Sequence, residues 1–307
     1  QQKVFCNYHL LNYNTTYLME LTAQYSKTLG DHNLKAIGGY SFQKFKTEGV
    51  SAGNSDFLVD GFGYNSLGDG NYKKPSVDSW ASINSIASLF ARVNYSYKSK
   101  YLLEATVRAD AASNFDPENR WGYFPSVSAG WLMSEENFMK GASNWLSILK
   151  LRASYGQTGN SNVGYRIYDY YSVGRNSIIG GAESTGVYAS ELGNKSLTWE
   201  TTSEFNIGVD FGMFNNRFKL SAEYFNRRIT DLLVTNKPLP FYNEVNKIAG
   251  NVGSTQSQGV EITVNTVNIV TNDFEWDTTL TLSHYNDRWL KRDQQICDST
   301  IEILGRQ

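Results

Sequence analysis

The sequence predicts an all-β fold, the wall of an antiparallel transmembrane β-barrel with about ten strands, and three observations carry that expectation. Apolar and polar residues alternate over segments of about ten residues, the signature of strands with one greasy and one wet face. Connections between these segments are short and long in turn. On the apolar face, aromatic rings gather toward the strand ends and aliphatic residues fill the middle.

The first segment, 17–26, sets Tyr17, Met19, Leu21, Ala23 and Tyr25 against Glu20 and Gln24. A second at 34–43 carries Lys35 on its wet side. Residues 87–97 alternate Ala87, Leu89, Ala91, Val93, Tyr95 and Tyr97 with Ser88, Arg92, Asn94 and Ser96. Segment 101–110 places Tyr101, Leu103, Ala105, Val107 and Ala109 opposite Glu104, Thr106, Arg108 and Asp110. In 123–133, Tyr123 and Trp131 bracket Val127 and Ala129. Acids at Glu135 and Glu136 then suit the first turn of one short helix running to about Lys140. Strands follow at 148–157, 199–211, 217–226, 259–267 and 274–285. Lengths near ten match what a tilted strand needs to cross a bilayer.

Short turns fall at 29–33, 98–100, 213–216 and 270–273, while long polar stretches occupy 44–82, 159–197 and 234–254, with a shorter one at 111–122. The 134–147 connection belongs to the short side but is lengthened by its helix. Outer-membrane barrels show this asymmetry. A membrane girdle is expected at Tyr17, Tyr25, Tyr123, Trp131, Trp199 and Phe211, because Tyr and Trp favour the membrane–water interface. The opposite face carries Glu20, Lys35, Glu104, Arg108, Lys150, Arg152, Glu204, Asp210, Lys219 and Glu223, too many charges for a dry interior. They are expected to line a hydrated lumen. From pattern alone, a water-soluble sandwich, barrel or propeller stays open as the competing fold.

Composition narrows the function. A net charge of −2 argues against nucleic acid as a partner, and 20 Tyr, 16 Phe and 7 Trp argue against disorder. Mean hydropathy of −0.43 alone would suggest a soluble protein. Cys6 and Cys297 form neither a disulfide framework nor a metal spacing, and His9, His32 and His284 lack partners at ligand spacing. His284 shares the face of Leu280 and Leu282, which suits an interfacial histidine better than a catalytic pair with Asp287. No catalytic residue, metal site or cofactor is expected. Asp56, Asp60, Asp69 and Asp78 could hold calcium in the first long loop, although their spacing matches no known ligand loop. Tyr64, Tyr72 and Trp80 in one long loop, and Tyr165, Tyr168, Tyr170 and Tyr171 in another, are candidate contacts to substrate or partner. Packing of the loops against one another would explain the same rings.

Several blocks taken together resemble the SusC/RagA family of TonB-dependent outer-membrane transporters. They are RADAASNF at 108–115, RWGYFPSVSAGWLMSEENF at 120–138, LKLRASYGQTGN at 149–160, LTWETTSEFNIGVDFGMFNNRFKLSAEYFNRRITDLL at 197–233 and NVGSTQSQGVEITVNTVNI at 251–269. The family usually reads Asp-Gly-Ser-Ser where this chain has Asp110-Ala111-Ala112-Ser113, so the loop there is expected to differ slightly. The resemblance implies a barrel of about 22 strands, with a plug and an N-terminal energy-coupling segment, neither visible in this chain. Residues 1–307 are therefore expected to be an internal barrel portion lacking the plug and the C-terminal strands. It further implies import of large nutrients, glycans or oligopeptides, across the outer membrane, with a SusD-like surface lipoprotein and TonB as partners and membrane lipid around the wall. A passive porin, a surface adhesin and a soluble carbohydrate-binding β-protein are the alternatives.

Overall fold

A computed structural model describes residues 6–57, 61, 63–70 and 75–292. Its strands in chain order are β1 (Cys6–Leu29), β2 (His32–Ser55), β3 (Ser76–Tyr97), β4 (Tyr101–Ala112), β5 (Trp121–Leu132), β6 (Leu146–Asn160) and β7 (Tyr170–Ile179). They continue as β8 (Ala182–Glu191), β9 (Glu200–Met213), β10 (Phe218–Thr230), β11 (Leu233–Pro238), β12 (Lys247–Asn251), β13 (Ser254–Val270) and β14 (Glu275–Lys291). One ten-stranded sheet has the order β1-β2-β3-β4-β5-β6-β9-β10-β13-β14. All ten segments expected from the alternation are in it. The other four strands form two separate hairpins, β7–β8 and β11–β12, inside stretches expected to be loop.

Two further differences have physical reasons. Strands β1, β2 and β3 run to 24, 24 and 22 residues, well beyond a membrane's thickness. Outside hydrocarbon nothing forces strict alternation, so residues 44–55 of β2 and 76–82 of β3 read as polar loop, and 6–16 of β1 lie beyond the expected first strand. The expected helix after β5 is two 3-10 turns, Met133–Glu135 and Asn137–Ala142. Glu136 between them is extended (φ −76, ψ 149), and its side chain is drawn sideways to Tyr101 and Trp131, which interrupts any longer helix.

The chain divides into two compact units. One comprises residues 1–20 and 41–87, and the other 21–40 and 88–307. In the first, Asn54 Nδ2 donates to the carbonyls of Leu67 and Gly70, holding the 3-10 turn Gly63–Asp69. Trp80 lies across Gly49, where a Cβ would sit 2.2 Å from the indole ring.

In the second unit, register sorts the two faces. Leu103 pairs Ala129, Ala129 pairs Ala153, Ala153 pairs Ile207, Ile207 pairs Tyr224, and Tyr224 pairs Val260 opposite His284. Directly opposed residues share a face, so this row is one continuous apolar stripe with His284 at its end. One residue along, Glu104, Ser128, Ser154 and Asn206 form the parallel wet row. Leu103, Val107, Val127, Phe205 and Ile207 on the apolar face are exposed to between 42% and 51%. The sheet therefore has no dry apolar side of its own. The dry core lies at its long-loop end, around Phe115, Phe124, Leu197, Trp199, Ala249 and Val252.

Candidate functional site

The wet face is an ion-pair lattice. Arg152 on β6 donates to Asp210 on β9 at 3.4 Å, to Glu223 on β10 at 2.5 Å and to Ser221 at 3.2 Å. Reaching across β9 to β10 requires a flat floor, and Gly208 supplies it: a Cβ there would lie 2.9 Å from the guanidinium carbon. Arg227 pairs Glu204 at 2.6 Å, and Asn206 steadies the same carboxylate at 3.0 Å. Arg108 binds Asp110 at 2.8 Å and Ser88 at 3.0 Å, while Arg92 sits 3.9 Å from Glu104. Lys35 and Lys150 line a recess of about 690 Å³ together with Glu104 and Arg152. Lys219 and Glu20 are exposed. On the wet face of the second unit both signs are interleaved, most of the charges meeting in local ion pairs.

At the short-turn end Tyr101 and Trp131 stack, their ring centroids 6.4 Å apart, and Phe211 meets Trp145 at the same separation. Tyr25 and Tyr123 are exposed on this unit, as Tyr17 is on the other. Trp199 departs from the expected girdle. It is 8% exposed and packs between Phe115 (5.5 Å) and Phe124 (5.4 Å), donating Nε1–H to the Arg120 carbonyl at 2.9 Å. It precedes β9, so the strand's alternation does not govern where its ring points. Glu136 accepts from Tyr101 Oη at 2.7 Å and Trp131 Nε1 at 3.3 Å, with Lys100 Nζ at 3.5 Å. These bonds, the one from Tyr101 above all, hold its carboxyl below the usual range.

The loops of the second unit form one consolidated layer. Phe124 sits where Gly159 and Gly122 leave room for its ring; a Cβ at Gly159 would lie 2.0 Å from it. Asn119 Nδ2 donates to the Lys195 carbonyl, Asn194 Nδ2 to that of Ala249, and Asn251 binds both backbone groups of Thr198. A bridge between Leu192 and Ile248 joins the two accessory hairpins. Tyr165 is a strut in this layer, its hydroxyl 2.6 Å from Ser113 Oγ. Tyr168 and Tyr171 are 56% and 65% exposed, whereas Tyr170, 42% exposed, donates its hydroxyl to the Tyr165 carbonyl at 3.3 Å and so also braces the layer. Among the other expected contact residues, Tyr64 lies edge-on to His9, Trp80 belongs to β3 and not to a loop, and Tyr72 lies outside the described residues.

Sequence reasoning missed the most prominent rings in the layer. Phe241 and Tyr242, at the tip between β11 and β12, are 97% and 77% exposed and contact one another edge-on. Their signal was present in Pro238-Leu239-Pro240-Phe241-Tyr242, two prolines fixing a turn that carries two rings. Of the acids considered for calcium, Asp69 accepts from Ser66, Asp78 caps its own strand start at Ser79, and Asp60 lies outside the described residues. Among the described residues, no three acidic, histidine or cysteine side chains gather as a metal site.

Comparison with known proteins fits this architecture. The family model for the TonB dependent receptor-like β-barrel matches residues 3–303. The chain belongs to the TonB-dependent receptor β-barrel family. It is 36% identical over 278 residues to TonB-dependent receptor P3 of Formosa agariphila, which covers 90% of this chain and 27% of the relative. SusC of Bacteroides thetaiotaomicron is 34% identical over 296 residues, again 90% of this chain and 27% of the relative. The chain thus spans about a quarter of the length of these TonB-dependent receptors. A structure of the RagAB peptide importer in its open-open state superposes with a TM-score of 0.82 at 25% identity, over 94% of this chain and 31% of that one. The Escherichia coli outer membrane transporter YddB shares the fold at 10% identity and a TM-score of 0.59. The barrel wall is an outer-membrane structure, and the apolar stripe is its lipid face. For a TonB-dependent receptor the long-loop layer then stands on the outer surface and the short turns on the periplasmic side.

Proposed function

We propose that this chain is the barrel wall of an importer of large nutrients, oligopeptides or glycans, driven through TonB by parts of the protein outside these residues. The observation that carries this reading is the division of one sheet into a lipid stripe, a hydrated ion-pair face and a loop layer with its own dry core. A passive pore needs the first two. A braced layer holding bare rings outward is what recognition adds. Tyr168, Tyr171, Phe241 and Tyr242 are its contact residues, meeting either substrate or a SusD-like lipoprotein above. Of the two classes, oligopeptides have the direct support of a neighbour that is a peptide importer. The wall offers water, charge and shape, with no bond made or broken, so the protein acts by binding and passage and not as an enzyme.

The test uses the full-length protein in its own outer membrane. Uptake of fluorescent oligopeptides and of labelled oligosaccharides is followed before and after the proton gradient is collapsed. Import that stops when the gradient is lost supports the reading, and the substrate that enters names the class. Entry that continues unchanged would mark a passive pore and overturn it.

A further inference from the structure

We propose that the connection between β5 and β6, residues 133–145, is an interfacial membrane anchor that sets Phe138 among the phospholipid headgroups of the periplasmic leaflet. The inference stands on the lipid face of the wall and is independent of what the barrel carries.

Three observations place this segment. Tyr101 and Trp131 share the apolar face with Leu103 and Ala129, so their rings mark the lower edge of the lipid stripe. Glu136 accepts a hydrogen bond from each of those two rings, which fastens the connection to the outer, lipid-facing side of the wall. Beyond that fastening, the 3-10 turn Asn137–Ala142 leaves Phe138 68% exposed, with the cation of Lys140 two residues on. The patch is continuous with the wall on its far side as well. Trp145, 44% exposed, lies against Phe211 of the apolar face, and its carbonyl accepts from the Phe214 amide at 2.8 Å, beside a ring that is itself 56% exposed.

A bare phenylalanine on a periplasmic turn would be an unexplained apolar surface in water. At the headgroup level the same arrangement is ordered by its solvent. Phe138 and Trp145 reach toward the acyl boundary, Lys140 lies among phosphates, and Asn137 and Ser143 stay hydrated. Interfacial segments of this type sink about 5–10 Å into the headgroup region. The other short connections offer a contrast, since Lys98-Ser99 is a two-residue reversal with its ammonium over the Tyr97 ring. The 133–145 connection is long because it is laid along the interface.

The experiment places a polarity-sensitive fluorophore at Phe138→Cys in the full-length protein, with Cys6→Ser, Cys297→Ser and any further cysteine replaced, reconstituted in phospholipid vesicles. A matched label at Glu118→Cys, exposed at the opposite end of the barrel, reports water. The expected result at 138 is blue-shifted emission, strong quenching by phospholipids brominated near the head of the acyl chain, and several-fold less quenching by iodide than at 118. Two results would overturn the proposal. Emission and iodide access equal to those at 118 would leave the segment in water. Protection from both quenchers would mean that protein, and not lipid, covers Phe138.

Discussion

Replacing Trp199 with alanine is expected to loosen the loop layer while leaving the barrel assembled. The ring is 8% exposed and wedged between Phe115 and Phe124. Truncating a buried Trp costs about 3–5 kcal/mol. At about 1.4 kcal/mol per decade, the population of the opened layer rises by roughly a hundred- to a few thousandfold. Trp199→Phe keeps most of the packing and loses the bond to the Arg120 carbonyl. That carbonyl still accepts from the Ala112 amide at 3.2 Å, so the loss is about 1 kcal/mol, or roughly fivefold. The assay is limited trypsin cleavage of the full-length protein on intact cells, with sites mapped by mass spectrometry. Arg120 and Lys195 lie on the two segments that the ring and the Asn119–Lys195 bond hold together. Cleavage there should follow the opened population when reclosing outpaces the protease. Retarded gel mobility on heating reports barrel assembly and should be unchanged. Unaltered cleavage in W199A, or W199F cleaved as fast as W199A, would refute the assignment of this ring as the keystone of the layer.

Three further outcomes are expected. Arg152→Met leaves Asp210 and Glu223 facing each other without their shared cation and should destabilise the refolded barrel by about 2 kcal/mol, between exposed and buried pairs; adding Glu223→Gln should recover part of it, measured by urea titration in detergent. Glu136 is held ionised by its partners, so its contribution is present in full above about pH 4.3, the ordinary glutamate value, and is lost as pH falls through the lower value of the folded protein. Trp131 fluorescence should therefore change in that acid range in the native protein and stay flat in Glu136→Gln. Phe241→Ala with Tyr242→Ala should leave assembly and protease resistance unchanged, because both rings are more than three-quarters exposed, and, under the proposed importer function, should reduce uptake at least tenfold if about 1.4 kcal/mol of contact is lost.

The strands were legible because the bilayer enforces alternation: Leu103 and Val107 meet lipid, Glu104 and Arg108 meet water, and one slip would exchange them. Where that constraint ends, legibility ends too. The outer parts of β2 and β3 fall within the 44–82 stretch that reads as loop. Hairpin β7–β8, with Val173 and Ile178 both more than 70% exposed, has no single buried face to leave a period in the sequence. Trp199 misled because alternation was extended one residue past the strand it belongs to. Tyr165 and Tyr168 look alike in sequence, and only the Ser113 hydroxyl separates the strut from the contact residue. Arg152 was recognised as a wall charge, but the glycine beneath it that allows a reach of two strands was not.

The sheet and the loop layer also differ in when they can form. Pairings such as β9 with β10, or β13 with β14, close through short turns and can zip one neighbour at a time. The bond from Trp199 to Arg120 spans 79 residues, and that from Asn119 to Lys195 spans 76. Their closure entropy is prohibitive until β5, β6 and β9 already lie side by side. The loop layer therefore matures last, and it does so only over a correctly registered wall. A slip in register would carry Arg120 and Lys195 away from Trp199 and Asn119, so the order of the layer depends on the pairing of the strands beneath it.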